Sequence, residues 1–132
     1  MHFFRYAFAV ATVVTMACAA SALPPLTGQW GGDHVRLTLD EKGGRIEYDC
    51  GAGTMDAPVR PATDGGFAVN GKHEEYKSGP TTADSAPPSL IASYRGRVDG
   101  DRMTLSVRVA GEKTERNFSL VRGRSVKLIR CL

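Results

Sequence analysis

From residue 30 onward the chain alternates apolar and polar side chains with period two, and glycine or aspartate interrupts the alternation about every ten residues. Each short segment therefore offers one face to a core and the other to water, which is the pattern of β-strands. Eight strands are expected, at 30–39, 45–50, 54–60, 66–75, 90–98, 102–109, 114–121 and 125–131. Val35, Leu37 and Leu39 share a face of the first, and Met103, Leu105, Val107 and Val109 share a face of the sixth. Asp99-Gly100 between two alternating runs is the strongest hairpin signal in the chain. Consecutive hairpins need no long crossovers, and closing the sheet removes its exposed edges. The sequence thus predicts an all-β fold, an eight-stranded antiparallel up-and-down barrel in preference to a sandwich.

One stretch breaks the rhythm. Residues Tyr76 to Ser89 carry Pro80, Pro87 and Pro88 among small polar residues, which suits a long loop, either a functional lid or a tolerated surface insertion. If the strands run as predicted, parity places Trp30, Cys50, His73 with this loop, and Cys131 on one rim. Arg130, in phase with Val126 and Leu128, would then stack on the indole of Trp30, the only tryptophan, and the two would plug that end. A ligand would enter from the opposite rim, at the turns Asp40 to Gly43, Pro61 to Gly65, Asp99-Gly100 and Arg122 to Arg124.

The first residues read as an address. His2 and Arg5 precede an apolar run, Tyr6 to Met16, that ends in Ala20-Ser21-Ala22, so residues 1–22 are expected to be a cleaved signal peptide and 23–132 a single domain. The apolar run is too short to span a bilayer, and no transmembrane segment is expected. Lipidation at Cys18 is the less favoured alternative, because Thr15 stands where the lipoprotein pattern wants a leucine-like residue. Export to the periplasm or beyond also makes a disulfide the default for the two remaining cysteines, Cys50 and Cys131. A bridge across a loop of that length contributes about 2–4 kcal/mol. With 17 Lys and Arg against 14 Asp and Glu, signs interspersed, the chain has no basic stripe and nucleic acid is not expected as a partner.

Gly28-Gln29-Trp30 at the start of the first strand, with a late arginine to stack on it, resembles the Gly-x-Trp signature of the calycin barrels, which include lipocalins and avidins. Leu26-Thr27-Gly28-Gln29-Trp30 is also similar to the matching stretch of bacterial periplasmic inhibitors of secreted metalloproteases, which share the barrel and carry one disulfide. Those inhibitors reach their target with an extended N-terminal segment, whereas only Leu23 to Leu26 would precede the motif here.

No nucleophile elbow, phosphate-binding loop, dinucleotide turn or zinc-protease motif is present, and the chain is not expected to be an enzyme. No catalytic residue, metal site or cofactor is assigned. His34 and His73 could approach a shared metal only if both faced one way, and their phases differ, His34 outward and His73 inward. The barrel interior offers more. Tyr48, Phe67, His73, Tyr94, Met103 and Phe118 phase inward and would line an apolar pocket with a few polar handles, the usual make-up of a small-molecule site. Arg95, Arg97, Arg102, Arg108, Arg116, Arg122 and Arg124 are read as outward, solubilising charges. The expected function is an exported, non-enzymatic protein holding a small apolar or amphipathic ligand in its barrel. The alternative is a barrel that binds a protein partner, such as a periplasmic protease inhibitor.

Overall fold

The computed structural model describes residues 11–14, 24–75 and 88–129. Its strands are β1 (Gly28–Gly32), β2 (Val35–Leu39), β3 (Gly44–Tyr48), β4 (Gly51–Met55), β5 (Gly66–Glu75), β6 (Ser89–Asp99), β7 (Arg102–Val109) and β8 (Arg116–Arg122). Each pairs antiparallel with the next, and β1 pairs with β8 through Trp30↔Arg122 and Gly31↔Val121, closing an eight-stranded barrel. Among the described residues no helix is long and apolar enough to cross a membrane.

The number of strands matches the expectation, but two of them differ in identity. The expected first strand, 30–39, is a hairpin: β1 turns at Asp33-His34 into β2, with His34 at φ 57°. Trp30 occupies an even position and Val35, Leu37 and Leu39 odd ones, so all four reach the core only if the chain turns between them, and all four are buried. At the other end, residues 125–129 of the expected eighth strand belong to no strand, while 130–131 lie outside the described residues. The barrel is already closed by β8, so this segment passes over its outer wall. Val126 lies against the bare face of Gly31, where a Cβ would come within 2.6 Å of Val126 Cγ2. Arg36 Nη2 donates to Val126 O (2.7 Å) and Ile129 N donates to Asp49 Oδ1 (2.7 Å). Residues 51–53, expected as a turn, form half of β4, and the turn falls one step earlier, at Asp49-Cys50. Ala57 and Val59, expected on the third strand, come after it in the loop to β5, where Val59 is buried.

Splitting the first strand reverses the direction of its Trp30 part alone, while residues 35–39 and the strands after them run in the expected direction. Trp30 therefore does not share an end with Cys50 and His73. Its partner Arg122 receives the β6–β7 turn through Arg122 N to Asp101 O (2.8 Å), so the indole lies toward the end carrying the turns at 40–43, 56–65 and 100–101. Those turns were expected opposite the indole. Leu26, whose N–H donates to Val59 O (2.7 Å), packs with the buried Val59 at this closed end. The other end carries the turns 33–34, 49–50 and 110–115, together with His73 and Glu75 at the end of β5.

The core fills the barrel by setting large rings opposite missing side chains, the usual solution in small barrels. Tyr94 is fully buried, and its ring spans the inner faces of Gly53 and Gly71: a Cβ at Gly71 would come within 3.0 Å of Tyr94 Cε2, and one at Gly53 would strike the hydroxyl. Phe67 is placed in the same way against Gly96, where a Cβ would come within 2.5 Å of the ring tip. Tyr94 Oη donates to Lys72 O (2.8 Å), which anchors the ring, and burial, with a smaller push from Asp56, raises its pKa to about 12. Gly53→Ala forces the Tyr94 ring from this seat and should destabilise the fold by about 1–3 kcal/mol in urea unfolding. A change within about 0.5 kcal/mol would show that Tyr94 does not pack there.

Candidate functional site

β8 carries arginines at both ends in the same phase as its inward residues Phe118 and Leu120. Arg122 and Arg116 are thus not outward charges but caps on the two ends of the barrel. Arg122 covers the indole of Trp30 at 4.4 Å from guanidinium carbon to ring centroid, the place expected for Arg130, which lies outside the described residues. Its Nη1 also donates to Thr27 O (3.2 Å), and its Nε pairs with Asp101 (3.3 Å). At the other end Arg116 stands 6.0 Å from the Tyr48 ring centroid.

The Arg116 end holds a group of side chains supplied by four elements. Tyr48 ends β3, His73 and Glu75 lie two residues apart on the inner face of β5, Phe118 and Arg116 come from β8, and Glu112 comes from the β7–β8 turn. The Tyr48 ring packs at 5.4 Å from Phe118 and 5.7 Å from His73, centroid to centroid. Gly51 lies directly opposite Tyr48 on β4. A cleft of about 260 Å³ lies here, lined by Tyr48, Asp49, Cys50, Gly51, His73, Glu75 and Arg116, with Phe118 behind the Tyr48 ring.

The electrostatics of the cleft centre on Arg116. Its Nη2 bonds Glu75 Oε1 (2.7 Å) and Glu112 Oε1, while its Nε donates to Glu112 Oε2 (3.2 Å). The bond to Glu112 raises the guanidinium pKa further, against the effect of burial. Glu75 is held below its ordinary range by the hydrogen bond from Arg116 and then by one from His73. Its ionised carboxylate can only accept, so His73 donates from Nε2 (3.3 Å), and in the neutral imidazole Nδ1 is then the acceptor. Burial, reinforced by the neighbouring Tyr94, drives the Tyr48 phenol well above its usual pKa and keeps it protonated. Among the described residues three buried side-chain atoms lack a protein hydrogen-bond partner: Trp30 Nε1, Tyr48 Oη and His73 Nδ1. Two of the three belong to this one end. An unsatisfied buried polar atom costs about 1–3 kcal/mol, so such a pair is held at a cost to stability.

The six residues expected to line an internal pocket divide in two. Phe67, Tyr94 and Met103 are at most 9% exposed and pack the middle and closed end of the barrel, whereas Tyr48, His73 and Phe118 come together at the polar end. Arg116, Glu75 and Glu112 complete the group. The strand phase that assigns Phe118 inward assigns Arg116 inward as well, and that signal was available in the sequence. His34 lies outside the barrel, paired through Nδ1 with Asp49 Oδ2 (2.7 Å), while His73 is fully buried within it. No group of three His, Cys, Asp or Glu among the described residues is placed to hold a metal ion. Residues 76–87 of the expected loop and Cys131 lie outside the described residues.

A wider cleft, about 580 Å³, runs along the outer wall between residues 126–129 and β3–β4. Its polar groups serve one another: Arg36 bonds Glu47 (3.4 Å) and Val126 O, and Arg45 pairs with Glu47 (3.7 Å). It therefore offers less to a ligand than the smaller cleft with its two unpartnered atoms. No known protein family matches this chain, and no curated protein or solved structure is significantly similar to it.

The Arg116–Glu75 bond sets a pH dependence whose direction is fixed. A carboxyl titrating below its ordinary value of 4.5 contributes stability that is complete above that value and lost as pH falls through the depressed one. Arg116→Gln should return the Glu75 titration upward toward 4.5, as followed by carbon-detected NMR of the side-chain carboxyl. An unchanged Glu75 midpoint in this variant would dissociate the carboxylate from Arg116.

Proposed function

We propose that this chain is an exported, calycin-like binding barrel, not an enzyme, which holds a small amphipathic molecule at the end formed by Tyr48, His73 and Phe118. One observation carries this reading: Tyr48 Oη and His73 Nδ1 are buried, without protein partners, among three rings beside a cleft. Small-molecule sites have this composition, apolar and aromatic walls with a few converging polar atoms. The ligand's apolar part would lie against the Tyr48 ring that Phe118 supports, and its polar part would meet the two unpartnered atoms. The Gly28-Gln29-Trp30 motif under Arg122 supports the calycin-like assignment. Leu26 is tied to Val59, which favours ligand binding over a free N-terminal inhibitory arm.

The expected disulfide between Cys50 and Cys131 belongs to the same reading. Cys50 is not a free thiol, and the Ile129 N–H on its neighbour Asp49 brings the chain to within two residues of Cys131 beside it. Such a bridge would pin the C-terminal segment to the outer wall next to the cleft. Cys131→Ser should lower stability by about 2–4 kcal/mol in urea unfolding under oxidising conditions and have little effect with reductant present.

Native mass spectrometry of protein purified from its own cell envelope tests the binding function directly. A discrete adduct below about 500 Da is expected, lost from a His73→Ala, Phe118→Ala double variant that retains the β-sheet circular dichroism of the parent. The same adduct on parent and double variant would move the site elsewhere.

A further inference from the structure

The chemistry of the ligand's polar group can be read from what faces it, granting the binding site just proposed. The charges at this end are already matched to one another. Arg116, the one Lys or Arg among the described residues that line the cleft, is engaged by two carboxylates, Glu75 and Glu112, and the trio carries one net negative charge. An anionic head such as a carboxylate or phosphate would enter a field of its own sign. A cationic head would meet the negative trio favourably, but the atoms it must reach, the Tyr48 oxygen and the His73 Nδ1, are both fully shielded from water. Moving an ion to such a place costs far more than moving an amide or hydroxyl, which loses only about 2–7 kcal/mol of hydration and recovers it in hydrogen bonds.

The hydrogen-bonding capacity is equally specific. With the neutral imidazole donating from Nε2 to Glu75, Nδ1 is the acceptor and the ligand brings the donor. Tyr48 Oη, with no acceptor of its own, offers a donor in return. A donor and an acceptor in one small uncharged group satisfy both. The cleft, at about 260 Å³, lies below the usual range of about 300–1,000 Å³ for drug-sized ligands, so the body attached to that group is small. The Tyr48 ring, backed by Phe118 at 5.4 Å, is the phenol wall of the cleft and suits an apolar body laid against it.

We propose that this site selects a small amphipathic ligand with an uncharged head, an amide or a hydroxyl, that accepts from Tyr48 Oη and donates to His73 Nδ1 while its apolar body rests on the Tyr48 ring that Phe118 supports.

A matched series separates the head from the body: 3-phenylpropanamide, 3-phenylpropan-1-ol, 3-phenylpropanoate and 3-phenylpropylammonium, titrated at neutral pH into the oxidised protein and followed by NMR of the Tyr48, His73 and Phe118 side chains. The amide and alcohol should bind with Kd near about 1 mM, as expected for ligands of about eleven non-hydrogen atoms, and both ions at least about tenfold more weakly. Tyr48→Phe, which keeps the ring and so the fold, should weaken the amide about fivefold and leave the ions unchanged. If either ion binds as tightly as the amide, or Tyr48→Phe leaves the amide's affinity intact, the head-group assignment fails while the binding site stands. If none of the four probes shifts these three side chains, both the assignment and the site are overturned.

Discussion

The pairing of β1 with β8 is the constraint on which the rest of this structure depends. An eight-stranded barrel encloses a space about as wide as the side chains that fill it. Once Trp30 meets Arg122 across the closing seam, every other inward residue must share what remains. The rings of Tyr94 and Phe67 fit because Gly53, Gly71 and Gly96 stand where their tips arrive. Closure also decides the course of the C-terminal segment. With no edge left to join, residues 124–129 lie over the outside of the wall, where Gly31 has no side chain to hold them off.

The two ends of the barrel are built from the same parts to opposite effect. Each has an inward arginine from β8 over an aromatic ring. At the Trp30 end the ring is fully buried, and Leu26 and Val59 pack against the core, so the end is apolar and closed. At the Tyr48 end the arginine is tied to two carboxylates, the phenol and imidazole lack partners, and a cleft opens beside them. The asymmetry arises from what surrounds each arginine. A cation over an indole contributes about 0.5–2 kcal/mol and completes a seal, whereas the Glu75–Arg116–Glu112 group orders polar atoms around a space.

Much of the architecture was legible in the residues. The strand at 66–75 and the strand at 102–109 match the structure residue for residue, because long uninterrupted alternation leaves no other phase. The Asp33-His34 turn was harder to see. Its two residues carry no glycine, and His34 takes a left-handed conformation that its side chain does not advertise. The mismatch between even Trp30 and odd Val35 was the available sign. The tail at 125–129 alternates as well as any strand, and nothing local distinguishes a segment that joins a sheet from one that crosses its back. The site was half legible: phase brought Tyr48, His73 and Phe118 inward, but the gathering of Glu75, Glu112 and Arg116 around them depends on register.

The sequence by itself determined that this chain forms a β-sheet, that its inward faces are apolar, and that eight short strands suffice to close it, because period-two burial and turn chemistry act over a few residues. Only the tertiary structure decided which end is sealed and which is open. That outcome hangs on a single two-residue turn at Asp33-His34, which reverses the chain between β1 and β2 and so places Trp30 and His73 at opposite ends.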